Sequence, residues 1–66
     1  MVITVNGEDR EVRDDSTLNE LIAELELRTE RVAIELNLDI LPRHLWEQTR
    51  LQSGDRLEIV HFVGGG

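Results

Sequence analysis

The sequence contains no cysteine, which excludes a disulfide, a zinc site built on thiolates and an iron–sulfur cluster. Its two histidines, without cysteine and without a recurring spacing of carboxylates, give no metal site either. The sequence also lacks a long apolar run and a basic leader followed by an apolar stretch, so we expect neither secretion nor membrane insertion. A cytoplasmic location is therefore expected for a single domain of 66 residues.

Basic residues are scarce, and lysine is absent altogether, so that all seven bases are arginine. Against them stand 14 acids, which gives a formal net charge of −7. Binding to a phosphate backbone depends on clustered positive charge, so this balance argues against a nucleic-acid partner. It suggests instead a protein partner with a basic face, and solubility alone would explain the acidity equally well.

The most distinctive stretch is the last one, an alternating apolar segment that ends in Gly64, Gly65 and Gly66. Consecutive glycines have no side chains to pack and maximal backbone freedom, so we expect residues 64–66 to form a flexible tail on a domain of residues 1–63. A tail of this kind is suited to being gripped in an extended conformation, in a channel too narrow for any other residue. We therefore interpret the α-carboxylate of Gly66 as the functional group.

The beginning of the chain predicts a β-hairpin. Apolar residues alternate over residues 1–5, and Asn6-Gly7 follows, a pair in which both residues tolerate the positive φ of a type I′ turn. The return strand over residues 8–13 is mostly charged, with Val12 as its clearest inward anchor, as expected of a strand at the edge of a sheet.

A helix follows the hairpin. The hydroxyl of Thr17 can accept a hydrogen bond from the third helical N–H while Glu20 reaches back to the cap, which is the spacing of a capping box. Apolar residues then recur at i, i+3, i+4 and i+7 and carry the helix to near Leu27, a length of about 10 residues. The residues of this stripe are Leu18, Leu21, Ile22 and Leu25.

The second half of the chain predicts three further strands. Residues 31–36 alternate like a strand, a turn precedes a short strand at residues 40–41, and residues 42–50 form an irregular or 3₁₀ connection that carries Trp46. After a tight turn, the final strand runs over residues 56–62. One helix can bury its apolar stripe only against a sheet, so the fold class is α+β: one main helix on a mixed sheet of four or five strands, with the first and last strands as central, parallel neighbours.

The outward residues at the end of the final strand, with the residue that follows them, are the candidate docking site. If Leu57 and Ile59 face the helix, Val60 and Phe62 lie on the opposite face of the sheet, beside Val63 and the tail. Interface cores favour aromatic residues, so we interpret Val60, Phe62 and Val63 as a partner-docking surface. The other interpretation is that loops of the chain itself cover these side chains.

Four other residues are interpreted as structural. We expect His61 to pack its ring at the end of the strand and Trp46 to cap one end of the core. Arg43 is expected to close a local turn, and His44 to lie on the surface. No catalytic triad, acid–base pair or nucleotide-binding loop is visible in the sequence, which argues against an independent enzyme.

Several short motifs, spread over essentially the whole chain, match one known family. They are Asn6-Gly7, Thr17-Leu18, Val32-Ala33-Ile34-Glu35-Leu36-Asn37, Pro42-Arg43 with Trp46, Gly54-Asp55, Glu58-Ile59-Val60 and Phe62-Val63-Gly64-Gly65-Gly66. With them the chain resembles the β-grasp, or ubiquitin-like, fold, and within that fold the sulfur-carrier family of thiamine thiazole biosynthesis. Leu38 departs from the family pattern, which commonly has glycine or a polar turn residue there. Leucine at positive φ is costly, so a two-residue type I′ turn is disfavoured at this point.

The resemblance implies that the chain is a protein co-substrate and not an enzyme. An activating enzyme similar to the ubiquitin-activating family, using ATP and magnesium, would adenylate the carboxylate of Gly66 and recognise Gly64 and Gly65 in the tail. Sulfur from a cysteine persulfide would displace AMP and leave a C-terminal thiocarboxylate, which would deliver sulfur to thiazole synthase. The chain itself would bind no cofactor, and the free protein is expected to be monomeric.

Other functions share these features. Within the carrier class, the small subunit of molybdopterin synthase comes second, and a tRNA-thiolating or protein-conjugating ubiquitin-like modifier comes third. A different class is an interaction module whose glycine tail is incidental. Loss of Gly66, or a residue added after it, separates these classes, because a carrier must fail on either change and an interaction module would tolerate both.

Overall fold

The computed structural model describes residues 1–62, which contain five strands. They are β1 (Val2–Val5), β2 (Glu8–Glu11), β3 (Val32–Leu36), β4 (Asp39–Ile40) and β5 (Arg56–His61). The strands form one sheet in the order β2-β1-β5-β3-β4, in which β1 and β5 run parallel and the other neighbours run antiparallel. The predicted mixed sheet, with its first and last strands side by side, is confirmed.

Helix α1 (Leu18–Glu24) begins with the predicted capping box. The Thr17 hydroxyl accepts a hydrogen bond from the Glu20 N–H at 3.2 Å, and the Glu20 carboxylate accepts one from the Thr17 N–H at 2.7 Å. These contacts lower the pKa of Glu20 below its ordinary value of 4.5. The hydrogen bond from the Thr17 backbone is the larger cause, and the hydrogen bond with the Thr17 side chain is the second. The start of the helix is therefore fixed by local contacts that the sequence spacing predicts.

The helix ends earlier than predicted, because the chain turns at Glu26. This residue has a φ of 58°, in the left-handed region. The Glu26 N–H donates to the Ala23 carbonyl at 3.0 Å, and the Leu27 N–H donates to the Ile22 carbonyl at 3.2 Å. These are the two hydrogen bonds of a Schellman motif, whose left-handed position is usually occupied by glycine. A glutamate at that position gives no sequence signal for the end of the helix.

Two-residue turns join both antiparallel hairpins. Asn6 and Gly7 have φ angles of 49° and 83°, as predicted for a type I′ turn. Asn37 and Leu38 at the tip of the β3–β4 hairpin also have positive φ angles, 52° and 76°. The expectation that leucine disfavours this turn was wrong. Pairing of β3 with β4, together with the hydrogen bonds of Asn37 to the start of β5, outweighs the strain at Leu38.

Replacement of Leu38 by glycine is expected to stabilise the fold by about 0.5–1 kcal/mol. The leucine side chain is 76% exposed, so little packing is lost, and glycine adopts a φ of 76° without a Cβ clash. Part of the gain is offset because glycine loses more backbone entropy on folding. Urea unfolding measures the effect. Leu38→Ala is the control, because it removes the exposed side chain and keeps the Cβ, and it should change little; a less stable Leu38→Gly would show that this turn carries no strain.

A 3₁₀ segment at Arg43–Gln48 places Trp46 in the core. Trp46 is 2% exposed, and its Nε1 donates to the Leu41 carbonyl at 2.9 Å, which confirms the predicted structural role. The guanidinium of Arg43 lies 5.3 Å from the centre of the indole, and its Nη2 donates to the Val32 carbonyl at 3.0 Å. Arg43 therefore ties this segment to β3 and does not close a local turn as predicted. A shorter 3₁₀ turn, Thr29–Arg31, precedes β3.

The core is formed by the apolar stripe of α1, alternate residues of the strands and side chains from the connecting segments. Its buried apolar residues are Ile3, Val12, Leu18, Leu21, Ile22, Val32, Ile34, Trp46, Leu51, Leu57 and Ile59. Because side chains alternate between faces along a strand, the residues that lie between these core residues in β3 and β5 point to the opposite, outer face of the sheet. Within residues 1–62, every helix falls short of the length and apolar character needed to cross a membrane.

Candidate functional site

The end of β5 presents apolar side chains on the outer face of the sheet. Leu57 and Ile59 are buried, whereas Val60 is 51% exposed and Phe62, directly after the strand, is 57% exposed. The Phe62 N–H donates to the Arg31 carbonyl at 2.8 Å, which fixes the backbone at this point. Val60 and Phe62, two of the three residues predicted to dock a partner, are therefore accessible and lie on a well-anchored segment.

β3 and β4 extend this apolar surface. Ala33 of β3 is paired with Val60, and Ile40 of β4 is exposed on the same outer face. A cleft of about 250 Å³ lies between β3 and residues 40–46, with Ala33, Ile40 and Phe62 among its lining residues. Ala33, Ile40, Val60 and Phe62 together form the outer patch. Since no loop of residues 1–62 buries Val60 or Phe62, the interpretation that the chain covers its own patch was wrong.

Two carboxylates face each other beside the outer patch. Glu35 and Glu58 are directly paired across β3 and β5, on the face that also carries Val60. The ion pairs formed within residues 1–62 involve neither of them. Like charges directly opposite each other in a sheet are unfavourable, and a cation placed between them relieves that repulsion. The outer face therefore fits a partner surface that is both apolar and basic.

Three polar side chains hold β5 in position. The Asn6 Oδ1 accepts from the Ile59 N–H at 2.7 Å, and its Nδ2 donates to the Ile59 carbonyl at 3.3 Å. The Asn37 Oδ1 accepts from the Arg56 N–H at 3.0 Å, and its Nδ2 donates to the carboxylate of Asp55 at 3.1 Å. Asp55 is buried and also accepts from a backbone N–H of its own turn at 2.8 Å. Sequence patterns missed these roles, because bonds to a distant strand leave no local signal.

The remaining predicted site residues lie at the end of the chain. Val63, Gly64, Gly65 and Gly66 lie outside the described residues, so docking by Val63, recognition of the tail and modification of Gly66 stay predictions. His61 is exposed, contrary to the expectation that its ring packs, because it borders an open cleft beside Leu27 and Arg28. Among residues 1–62, no three His, Cys, Asp or Glu side chains come together in a way that could hold a metal ion.

Comparison with known proteins identifies the family. The family model described as "ThiS family" matches residues 3–66, which is nearly the whole chain. The chain belongs to the ThiS family. The fold agrees, since the crystal structure of the thiamine biosynthesis protein (ThiS) from Geobacter metallireducens superposes with a TM-score of 0.86 at 35% sequence identity, covering 100% of both chains. The predicted β-grasp fold and the predicted family resemblance are confirmed.

Two curated relatives of this ThiS-family chain differ greatly in length. The sulfur carrier protein ThiS of Bacillus subtilis (strain 168) is 35% identical over 66 residues, a match that covers 98% of this chain and 100% of that protein. A thiazole synthase of Paramagnetospirillum magneticum is 41% identical over 66 residues, which cover 100% of this chain. The chain spans only 20% of the length of that synthase. A ThiS-like segment is therefore present within a longer chain that carries the name of a synthase.

Proposed function

We propose that this chain is a sulfur carrier of thiamine biosynthesis. The observation that best supports the proposal is its end-to-end match to the sulfur carrier protein ThiS of B. subtilis, which covers 98% of this chain and all of that protein. In this role the chain is a co-substrate and supplies no catalytic group. No specific observation favours the small subunit of molybdopterin synthase or a protein-conjugating modifier.

The chemistry takes place at the α-carboxyl group of Gly66. A carboxylate with a pKa of about 3.5 is ionised at neutral pH and is a poor acyl electrophile, so it must first be activated. One carboxylate oxygen attacks the α-phosphorus of ATP on a magnesium-dependent activating enzyme, and pyrophosphate leaves. The terminal sulfur of a cysteine persulfide then attacks the acyl carbon, and AMP leaves with the bonding electrons. Cleavage of the resulting acyl disulfide by a second thiol releases the thiocarboxylate.

The acceptor of the sulfur in this proposal is thiazole synthase, which uses it for the thiazole ring. The support comes from two proteins named thiazole synthase, from P. magneticum and Magnetococcus marinus, each of which matches 100% of this chain over 20% of its own length. A carrier and its acceptor that share one chain are held at a high effective concentration, which is useful only if they act on each other. For a carrier that is not fused to its acceptor, the outer patch supplies the docking contact.

The intact mass of the chain tests the proposal. The chain is incubated with a ThiS-activating enzyme, Mg-ATP and a persulfide sulfur donor, and mass spectrometry follows the exchange of one oxygen atom for one sulfur atom. Omission of ATP is the control and should leave the mass unchanged. An unchanged mass under conditions in which the enzyme converts its own carrier would overturn the proposal. The chain would then be better explained as an interaction module whose glycine tail is incidental.

The double substitution Val60→Ala and Phe62→Ala is expected to lower the rate of adenylation by about 10–100-fold while the protein stays folded. Aromatic residues at the centre of an interface commonly contribute 2 kcal/mol or more to binding, and both side chains are already exposed, so little core packing is lost. Pyrophosphate release measures adenylation, and circular dichroism measures the unfolding midpoint.

Val2→Ala is the matched control for the double substitution. Val2 is also on the outer face and 45% exposed, and it lies at the other end of the sheet, since β1 meets β5 at Thr4 and Arg56. It should leave adenylation unchanged. If the double variant melts several degrees lower and its folded fraction is adenylated normally, Val60 and Phe62 stabilise the fold and do not dock a partner.

A further inference from the structure

Phe62 also borders a second cleft, separate from the one between β3 and residues 40–46. Its volume is about 490 Å³, and it lies between the segment that follows α1 and the end of β5. Its lining residues are Glu26, Leu27, Arg28, Arg31, His61 and Phe62. With two arginines against one glutamate, this basic cleft has the opposite sign to the whole chain, whose formal net charge is −7.

The two arginines of the basic cleft lack carboxylate partners within the described part of the chain. Ion pairs in residues 1–62 are formed by the N-terminal amine, Arg10, Arg13 and Arg50, and not by Arg28 or Arg31. The sequence has 14 acids for seven bases, so partners are abundant. Two exposed guanidinium groups that border one cleft, and that form no ion pair with residues 1–62, are available to an external anion.

The basic cleft lies at the root of the glycine tail. The carbonyl of Arg31 accepts the Phe62 N–H at 2.8 Å, so the cleft is attached to the residue that directly precedes Val63. One residue of extended chain spans about 3.3–3.6 Å. Any protein that takes up the tail to its end must therefore bring the rim of its binding channel to within a few residues of the cleft.

We propose that the basic cleft receives an aspartate or glutamate side chain from the rim of the tail-binding channel of thiazole synthase. This inference rests on the proposed function, in which thiazole synthase is the acceptor. A carboxylate matches the fork of a guanidinium, and Leu27 and Phe62 supply an apolar wall that strengthens the contact by excluding water.

The proposed contact determines the orientation of docking. The outer face, with Glu35 and Glu58, requires a basic surface, and the basic cleft requires an acidic one a short distance away. A carrier that docked the wrong way round would place acid against acid and base against base, which costs binding energy. Only the correct orientation directs the tail into the channel.

Charge reversal at Arg28 and Arg31 tests the inference. Titration calorimetry with purified thiazole synthase is expected to give a Kd for Arg28→Glu/Arg31→Glu that is at least about 10-fold higher than that of the wild type. The matched control is Arg13→Glu/Arg50→Glu, which changes the net charge equally at two exposed arginines near the start of α1. The control should stay within about 3-fold of the wild type, since exposed ion pairs contribute little.

The outcomes separate this inference from the proposed function. Equal weakening by both double variants would show an effect of overall charge and overturn the inference, as would an unchanged Kd for the variant at Arg28 and Arg31. Conversion of the wild-type chain to the thiocarboxylate, measured separately, would still support the carrier role in either case. If the charge-reversed chain does not fold, Arg28→Gln/Arg31→Gln replaces it, and the same loss of binding is expected. A wild-type chain that does not bind the synthase overturns the inference whatever the mass measurement gives.

Discussion

Deletion of Gly66 is expected to lower the rate of thiocarboxylate formation by more than about 100-fold. The shortened chain still ends in two glycines, so its end group is chemically the same as before. Its reach is shorter by one residue, or about 3.3–3.6 Å, and misplacement of a reacting group by 1 Å can already cost about 100-fold. The intact-mass assay measures the rate. The unfolding midpoint should not change, because the buried apolar core lies between Ile3 and Ile59.

Two further variants separate the length of the tail from its width. An alanine added after Gly66 moves the carboxylate outward by one residue and should cause a loss as large as the deletion. Gly64→Ala keeps the length and adds one methyl group, so it tests whether the channel accepts only glycine there. Normal conversion of the chain that lacks Gly66 would mean that the position of the carboxylate is unimportant, and the carrier mechanism proposed for this tail would then be wrong.

The details of backbone geometry that were predicted correctly are those determined by residues close in sequence. The capping box joins Thr17 to Glu20 within one turn, and the pair Asn6-Gly7 carries its own turn geometry. The two errors of backbone geometry, at Glu26 and Leu38, share one cause. Each residue is held at a positive φ by hydrogen bonds or strand pairing around it. Neither is a glycine or an asparagine, the residue types that normally signal such a conformation.

The features of the candidate site also differ in whether one segment of sequence is enough to predict them. Alternation along one strand predicts that Val60 and Phe62 face outward, and no information from other segments is needed. The contacts between Asn6 and Ile59, and the pairing of Glu35 with Glu58, depend on strand register across many residues and are visible only in the fold. The exposure of His61 was missed for a related reason, since the cleft that it borders is formed with Leu27 and Arg28 from another segment. Patterns in a single segment do not report such relations between segments.

Trp46→Ala is expected to have the largest effect on stability, a loss of about 3–5 kcal/mol. Trp46 is 2% exposed, so truncation leaves a large cavity in the core. The Leu41 carbonyl also loses the indole N–H as its donor, and Arg43 loses the ring over which it lies. A chain of 66 residues has a total stability of only about 3–10 kcal/mol, so a substantial fraction of the variant should be unfolded. Urea unfolding followed by circular dichroism is the measurement, because the variant has no tryptophan to report by fluorescence.

Trp46→Phe separates the packing of the indole from its hydrogen bond. Phenylalanine keeps an aromatic ring in the core and in reach of Arg43, but it leaves the Leu41 carbonyl without this donor, which costs about 1–3 kcal/mol when the acceptor is buried. The phenylalanine variant should therefore lie between the wild type and Trp46→Ala. If both variants lose the same stability, the hydrogen bond determines the effect and the ring packing contributes little. A loss below about 1 kcal/mol for Trp46→Ala would mean that the 3₁₀ segment closes over the vacated space, and Trp46 would then not be the cap of this core.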